Sequence, residues 1–79
     1  MALLTTNSIK RISKDRVNIH KKVDATYTVF KYKGKTYFQL DTYGSRTREM
    51  KGKISQSIQF DEETAGELLK LIEDAFDIS

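Results

Sequence analysis

Apolar and polar residues alternate along the middle of the chain in the way that is typical of β-strands. A first alternating stretch covers residues 17–23, and a β-rich run follows at 26–32. The dipeptide Lys33-Gly34 then predicts a two-residue hairpin turn, although Asn or Asp before the glycine would be a stronger signal. This turn sets the register of the hairpin and predicts five pairs: Tyr32 with Lys35, Phe30 with Tyr37, Val29 with Phe38, Thr28 with Gln39, and Tyr27 with Leu40.

The register divides the hairpin into two faces, because consecutive side chains of a strand point to opposite sides of the sheet. One face is apolar and is expected to form the core; it carries Tyr27, Val29, Phe38 and Leu40. The opposite face combines aromatic rings with cations and an amide; it carries Phe30, Tyr32, Lys35, Tyr37, Gln39 and Tyr43.

A last strand is predicted over residues 53–60, after a glycine-bounded loop that carries Arg46, Arg48 and Lys51. Its apolar residues face the core side: Ile54, Ile58 and Phe60. If the sheet is regular, its polar residues face the same side as the tyrosines: Lys53, Ser55, Ser57 and Gln59.

The pattern changes to helical spacing after Asp61, which is a good N-cap followed by two acidic residues in the first turn. The apolar stripe of this helix consists of Ala65, Leu68, Leu69, Ile72 and Phe76, widened by Leu71, Ala75 and Ile78. A stripe this wide exceeds what one small sheet needs for cover. It indicates either a deeply seated core helix or a homodimer in which the C-terminal helix packs against a second copy.

These elements define the expected fold class, which is α+β with a four-stranded antiparallel sheet followed by one C-terminal amphipathic helix. Residues 14–79 are expected to form a single domain. Residues 1–13 are interpreted as a flexible basic arm, with an irregular first strand as the alternative. A chain of 79 residues buries only about 60% of the surface that its unfolded form exposes, so oligomerisation would reinforce it.

Charge is unevenly distributed along the chain. The net charge is +3, but residues 1–60 hold 13 Lys or Arg against four acids, a charge of +9, whereas residues 61–79 hold one Lys against seven acids, a charge of −6. This asymmetry predicts that the first three-quarters of the chain binds a polyanion. The alternative is that the two segments neutralise each other within the fold.

The candidates for catalysis and for metal binding are poor. The only histidine, His20, has no carboxylate placed to orient it, and the chain has no cysteine. The paired carboxylates are adjacent in the helix, where they cannot converge on one substrate. The sequence contains no run of about 18 apolar residues that could cross a membrane. We therefore expect an intracellular, cytoplasmic protein that is not an enzyme and that uses no cofactor or metal.

Binding of a single-stranded nucleic acid is the function that the pattern favours. A duplex reader usually inserts a basic helix in the major groove, whereas the predicted helix is acidic. Aromatic rings on a basic sheet can stack on splayed bases while Lys and Arg contact phosphates. The alternative is that the rings pack against each other across the strands. The candidate contacts are Lys33, Lys35, Tyr37, Gln39, Tyr43, Arg46, Arg48, Lys51 and Lys53.

The order of the elements and two stretches of sequence resemble the positive-cofactor-four family of transcriptional coactivators and its bacterial relatives. The stretches are YKGKTYFQLDTY (32–43) and KGKISQSIQFDEETAGELLKLI (51–72), about half of the chain. The chain departs from the family pattern because it lacks a Pro-Gly before the last strand and lacks a tryptophan. The resemblance implies a dimer that binds single-stranded DNA on a curved sheet, with these contacts: Lys33, Lys35, Tyr37, Gln39, Tyr43, Lys51 and Lys53.

The expected function is therefore binding of single-stranded nucleic acid, DNA more than RNA, with low sequence specificity and by a homodimer formed through the C-terminal helix. Two alternatives would use the same face of the sheet. One is a protein-interaction or inhibitor module that docks a partner protein, and the other is an RNA-binding regulator.

Overall fold

The computed structural model of the protein describes residues 1–44 and 53–78. Its elements are β1 (Ala2–Leu4), β2 (Ala25–Tyr32), β3 (Lys35–Tyr43), β4 (Ile54–Asp61) and α1 (Glu62–Phe76). The strands form one sheet in the order β1-β4-β3-β2, and the helix follows it. The predicted α+β arrangement of a four-stranded sheet and one C-terminal helix is confirmed.

The β2–β3 hairpin has the register that its turn predicts. Tyr32 is opposite Lys35, and the pairing continues without a shift to the far end of β2, so that all five predicted pairs are present. Lys33 and Gly34 have φ angles of 51° and 81°. These are the two positive φ values that a type I′ turn requires, and the twist of that turn matches the twist of the strands it joins.

The sheet is mixed, which corrects the prediction of a purely antiparallel one. β1 pairs with β4 in parallel, with Ala2 opposite Ile58 and Leu4 opposite Phe60. The alternating stretch 17–23 contributes no strand, and Ile19 within it is 96% exposed. The tendency of a sequence to form a strand depends on its packing context, so an alternating pattern alone does not specify one, and it is residues of the N-terminus that pair with β4.

A β-bulge changes the register at the start of β4. Residues from Phe60 back to Gln56 pair regularly with β3, but Tyr43 is opposite Ile54, so that one residue of β4 is left over between the two pairs. Directly opposed residues share a face of the sheet, so Ile54 lies on the side of Tyr43. The expectation that Ile54 faces the core side is therefore wrong, because it assumed a regular sheet.

The helix begins where its capping residues predict. The Asp61 carboxylate accepts a hydrogen bond from the backbone N–H of Thr64 at 2.9 Å, and Glu62 and Glu63 occupy the first turn. This bond lowers the pKa of Asp61, and the nearby Lys35 ammonium acts in the same direction. The helix ends at Asp77, whose left-handed conformation directs its backbone N–H to the carbonyl of Glu73.

The predicted core face is present but remains uncovered in the single chain. We call it the apolar face; it consists of Tyr27 and Val29 from β2, Phe38 and Leu40 from β3, and Ile58 and Phe60 from β4. Its rings stack in a ladder, with centroids 5.1 Å apart between Tyr27 and Phe38 and 5.2 Å apart between Phe38 and Phe60. None of the apolar side chains in residues 1–44 and 53–78 is buried, and Tyr27 is 67% exposed.

Candidate nucleic-acid interface

The opposite side of the sheet, here called the polar face, carries most of the predicted site residues that the structure describes. It consists of Thr26, Thr28, Phe30 and Tyr32 from β2, Lys35, Tyr37, Gln39, Asp41 and Tyr43 from β3, and Ser57, Gln59 and Asp61 from β4. Strand pairing places these side chains in rows across the sheet, because directly opposed residues share a face. Lys33 lies in the turn at one end of the polar face, and Lys53 immediately precedes β4 at the other.

A chain of hydrogen bonds occupies the middle of the polar face. Gln39 Nε2 donates to both carboxylate oxygens of Asp41, at 2.9 and 3.1 Å, and the Ser57 hydroxyl donates to the same carboxylate. Gln59 Nε2 donates to Gln39 Oε1 at 2.7 Å. An ionised carboxylate only accepts hydrogen bonds, so Asp41 fixes the orientation of the Gln39 amide, which in turn fixes that of Gln59.

Two of the predicted stacking tyrosines also contact protein groups. The rings of Phe30 and Tyr37 are stacked, with centroids 5.7 Å apart and an interplanar angle of 16°. The Tyr43 hydroxyl is 2.9 Å from the Thr26 hydroxyl and shares a hydrogen bond with it. Both tyrosines are half-buried. Cross-strand packing therefore orients these rings, and each keeps part of its surface exposed.

The cations of the site lie at the two ends of β3. The Lys33 ammonium is 5.4 Å from the centroid of the Tyr32 ring, which is a cation–π distance. Lys35 is exposed at the start of β3, close enough to Asp61 to favour its ionised form. Lys53 is exposed beside the other end. The predicted contacts Arg46, Arg48 and Lys51 lie outside the described residues.

Among the polar-face residues that are absent from the predicted contacts, Tyr32 and Asp41 matter most for the site. Tyr32 is 58% exposed, which makes its ring more available than those of Tyr37 and Tyr43. Its position on this face follows from the hairpin register, so the signal was present in the sequence. Asp41 is 5% exposed and organises the amides. Asp41 is two residues from Gln39 along β3, which places both on the polar face. Its burial could not be predicted from the sequence.

The described residues of this site do not form a cluster of metal ligands. Within residues 1–44 and 53–78, no group of three or more His, Cys, Asp or Glu side chains is close enough to hold a metal ion. In the same part of the chain, no helix has the length and apolar character needed to span a membrane. The side chains of the polar face can stack, donate and accept hydrogen bonds, and attract anions.

Comparison with known proteins adds no relatives to this description. No protein-family model matches the chain, and neither curated proteins nor solved structures give a significant match. The resemblance to the positive-cofactor-four family therefore stays a prediction, as do the contacts that it implies.

Proposed function

We propose that the protein binds single-stranded nucleic acid along β3 on the polar face, DNA in preference to RNA and with low sequence specificity. The observation that carries this proposal is the order of groups along the strand. Lysines stand at both ends of β3, and aromatic rings and amides lie between them. Phosphates would contact the lysines, and bases would contact the rings and amides.

The dimensions of β3 suit a short single strand. Its nine residues, Lys35–Tyr43, span about 27 Å at the rise of an antiparallel strand. A binding site for several nucleotides needs cations distributed over such a length, since each phosphate carries a charge. Lys33 and Lys35 at one end and Lys53 at the other would anchor the backbone on either side of the central rings.

Exposed ring surface on the polar face supports stacking of bases. Tyr32 offers the largest exposed fraction, and Tyr37 is held in place by its contact with Phe30. A ring that the protein already orients loses little side-chain freedom when a base stacks on it, which favours binding. The amides of Gln39 and Gln59 are oriented by Asp41 in the same way, and can bond to base edges.

Titration of fluorescent oligo-dT of about 20 nucleotides, followed by anisotropy, tests the proposal. We expect binding that weakens with salt, with a log–log slope of about −0.7 for each phosphate contacted, and weaker binding of a duplex. Lys35→Glu should lower affinity and make the slope shallower. Lys70→Glu, which makes the same charge change on the acidic helix, should leave the affinity nearly unchanged.

Three results would change the proposal. Absence of binding to any nucleic acid at low salt would rule it out and would favour a partner protein as the ligand of the polar face. Tighter binding of oligo-rU than of oligo-dT would favour an RNA-binding regulator. Equal losses of affinity in Lys35→Glu and Lys70→Glu would show that net charge governs binding and that the polar face is not the site.

A further inference from the structure

The apolar face and the helix present apolar surface that the single chain leaves uncovered. On the sheet, Val29 is 57% exposed and Leu40 and Ile58 are more than a third exposed. On α1, the residues of the apolar stripe beyond the first turns are also exposed: Leu69, Leu71, Ile72 and Phe76. The helix contacts β3 and β4 but leaves both surfaces largely open.

The size of the chain shows how much surface is involved. It exposes 7621 Å², whereas a compact protein of 9.1 kDa exposes about 4,900 Å². Its radius of gyration is 14.9 Å, against about 12 Å for a compact domain of 79 residues. Part of the excess belongs to residues 5–24, which are almost all exposed. The uncovered apolar face and the exposed residues of the helix stripe also contribute to this excess.

We propose that a second copy of this chain covers both surfaces, and that the apolar face of the sheet is as much a part of the dimer interface as the helix is. Because no apolar residue within 1–44 and 53–78 is buried, a single chain has little to offset the conformational entropy lost on folding. Its cover must therefore be present whenever the chain folds. A second copy meets this condition, since it is made together with the first and at the same concentration.

The chemistry of the two surfaces fits a symmetric pairing. In a two-fold dimer both subunits use the same surface. The apolar stripe of each helix can therefore cover the apolar face of the partner's sheet. The helix region carries a charge of −6 and the rest of the chain +9. Lys31 lies on the same side of the sheet as the apolar face, where the acidic helix of a second copy would bring opposite charges close to it.

Sedimentation equilibrium from about 0.1 to 100 μM measures the association without any nucleic acid, and so tests this inference separately from the proposed function. We expect the wild-type protein to sediment with twice the mass of one chain. Its melting temperature should rise with protein concentration. Val29→Glu on the apolar face and Ile72→Glu on the helix should each weaken association by about 100-fold or more, or prevent folding, because each buries a charge in the interface.

Matched controls separate the interface from general effects of a new carboxylate. Thr28→Glu adds the same charge one residue away, on the polar face, and Lys70→Glu adds a carboxylate off the apolar stripe; both sites are exposed. We expect both variants to remain dimers. If the wild-type protein is a folded monomer at every concentration tested, the inference is overturned. Dimers of unchanged affinity in Val29→Glu would overturn the role of the sheet face, even if Ile72→Glu dissociates.

Discussion

The two faces of the sheet are built from alternate residues of the same three strands, yet they differ in how their side chains are paired. The side chains of the polar face find hydrogen-bond partners within the chain, whereas those of the apolar face stay uncovered. On the polar face, Asp41 and Ser57 are nearly fully buried and hydrogen-bonded, and the amides of Gln39 and Gln59 are paired. On the apolar face, the rings stack on one another but stay open to solvent on their outer side.

This difference separates two kinds of binding. A face whose polar groups are already paired can stay in water, and a ligand can bind and leave without affecting the fold. An exposed apolar face of this size is unfavourable in water, so its partner belongs to the folded state. We therefore assign the reversible ligand to the polar face and the permanent partner to the apolar face, and the following predictions test that division.

The largest expected difference is between two adjacent residues of β3. Phe38 is the middle ring of the apolar ladder, and Tyr37 points to the polar face. Phe38→Ala should lower the free energy of unfolding by about 3 to 5 kcal/mol, as for a buried aromatic residue, because the second copy buries it. Tyr37→Ala should cost less stability but about 1 to 3 kcal/mol of nucleic-acid binding, the value of one stacked base.

Urea melts at one fixed protein concentration, together with oligo-dT binding by the folded fraction, measure both quantities. If Tyr37→Ala is as destabilising as Phe38→Ala while binding by the folded protein is intact, the tyrosine serves packing with Phe30. The stacking site would then have to be Tyr32 or lie elsewhere.

The next largest effect concerns the buried carboxylate of the polar face. Asp41→Ala removes the acceptor of the Gln39 and Ser57 donors and should destabilise the protein by about 2 to 3 kcal/mol. Asp15→Ala removes a carboxylate that is exposed, and should change stability by less than about 0.5 kcal/mol. Urea melts compare the two variants, and equal stabilities would mean that the hydrogen-bond chain does not support the sheet.

Local chemistry made the hairpin and the helix predictable. Lys33-Gly34 determined the pairing of β2 with β3, and Asp61 with its acidic neighbours marked the start of α1. Both signals act between residues close together in the chain, so a sequence displays them directly. The division of side chains between the two faces follows from the same turn.

The parts that depend on distant residues were not predictable in this way. Nothing in the three residues Ala2–Leu4 specifies a parallel partner more than 50 residues away. The bulge beside Tyr43 depends on how β4 meets β3 and not on the sequence of either strand alone. The Phe38 side was correctly recognised as apolar, but alternation gives no information on which element covers a face.

A smaller effect is expected from the pH dependence of the helix cap. The pKa of Asp61 is lowered chiefly by the bond from the Thr64 backbone N–H, so the folded state favours the carboxylate. Its contribution is therefore present above the pKa of the unfolded state, near pH 4, and is lost as the pH falls through the lowered folded value. Helical circular dichroism between pH 5 and pH 2 should show this loss, and Asp61→Asn, which caps without titrating, should reduce it. An identical acid transition in both proteins would assign the transition to other carboxylates.

The smallest expected change in stability is at the turn that assigns side chains to faces, where Lys33 has a left-handed conformation that suits Asn better than Lys. Lys33→Asn should raise the free energy of unfolding by about 0.5 to 1 kcal/mol, since Asn-Gly is the preferred pair for this turn. The same change removes a cation from the end of the polar face, so the salt slope of oligo-dT binding should become shallower by about 0.7.

Lys31→Asn is the control, because it removes an equal charge from a regular strand position that faces the apolar side. It should lower stability, since Asn is a poor strand former, and leave the salt slope unchanged. Opposite shifts of stability and binding in Lys33→Asn would show that the turn serves both the register and the ligand, whereas an unchanged salt slope would remove Lys33 from the site.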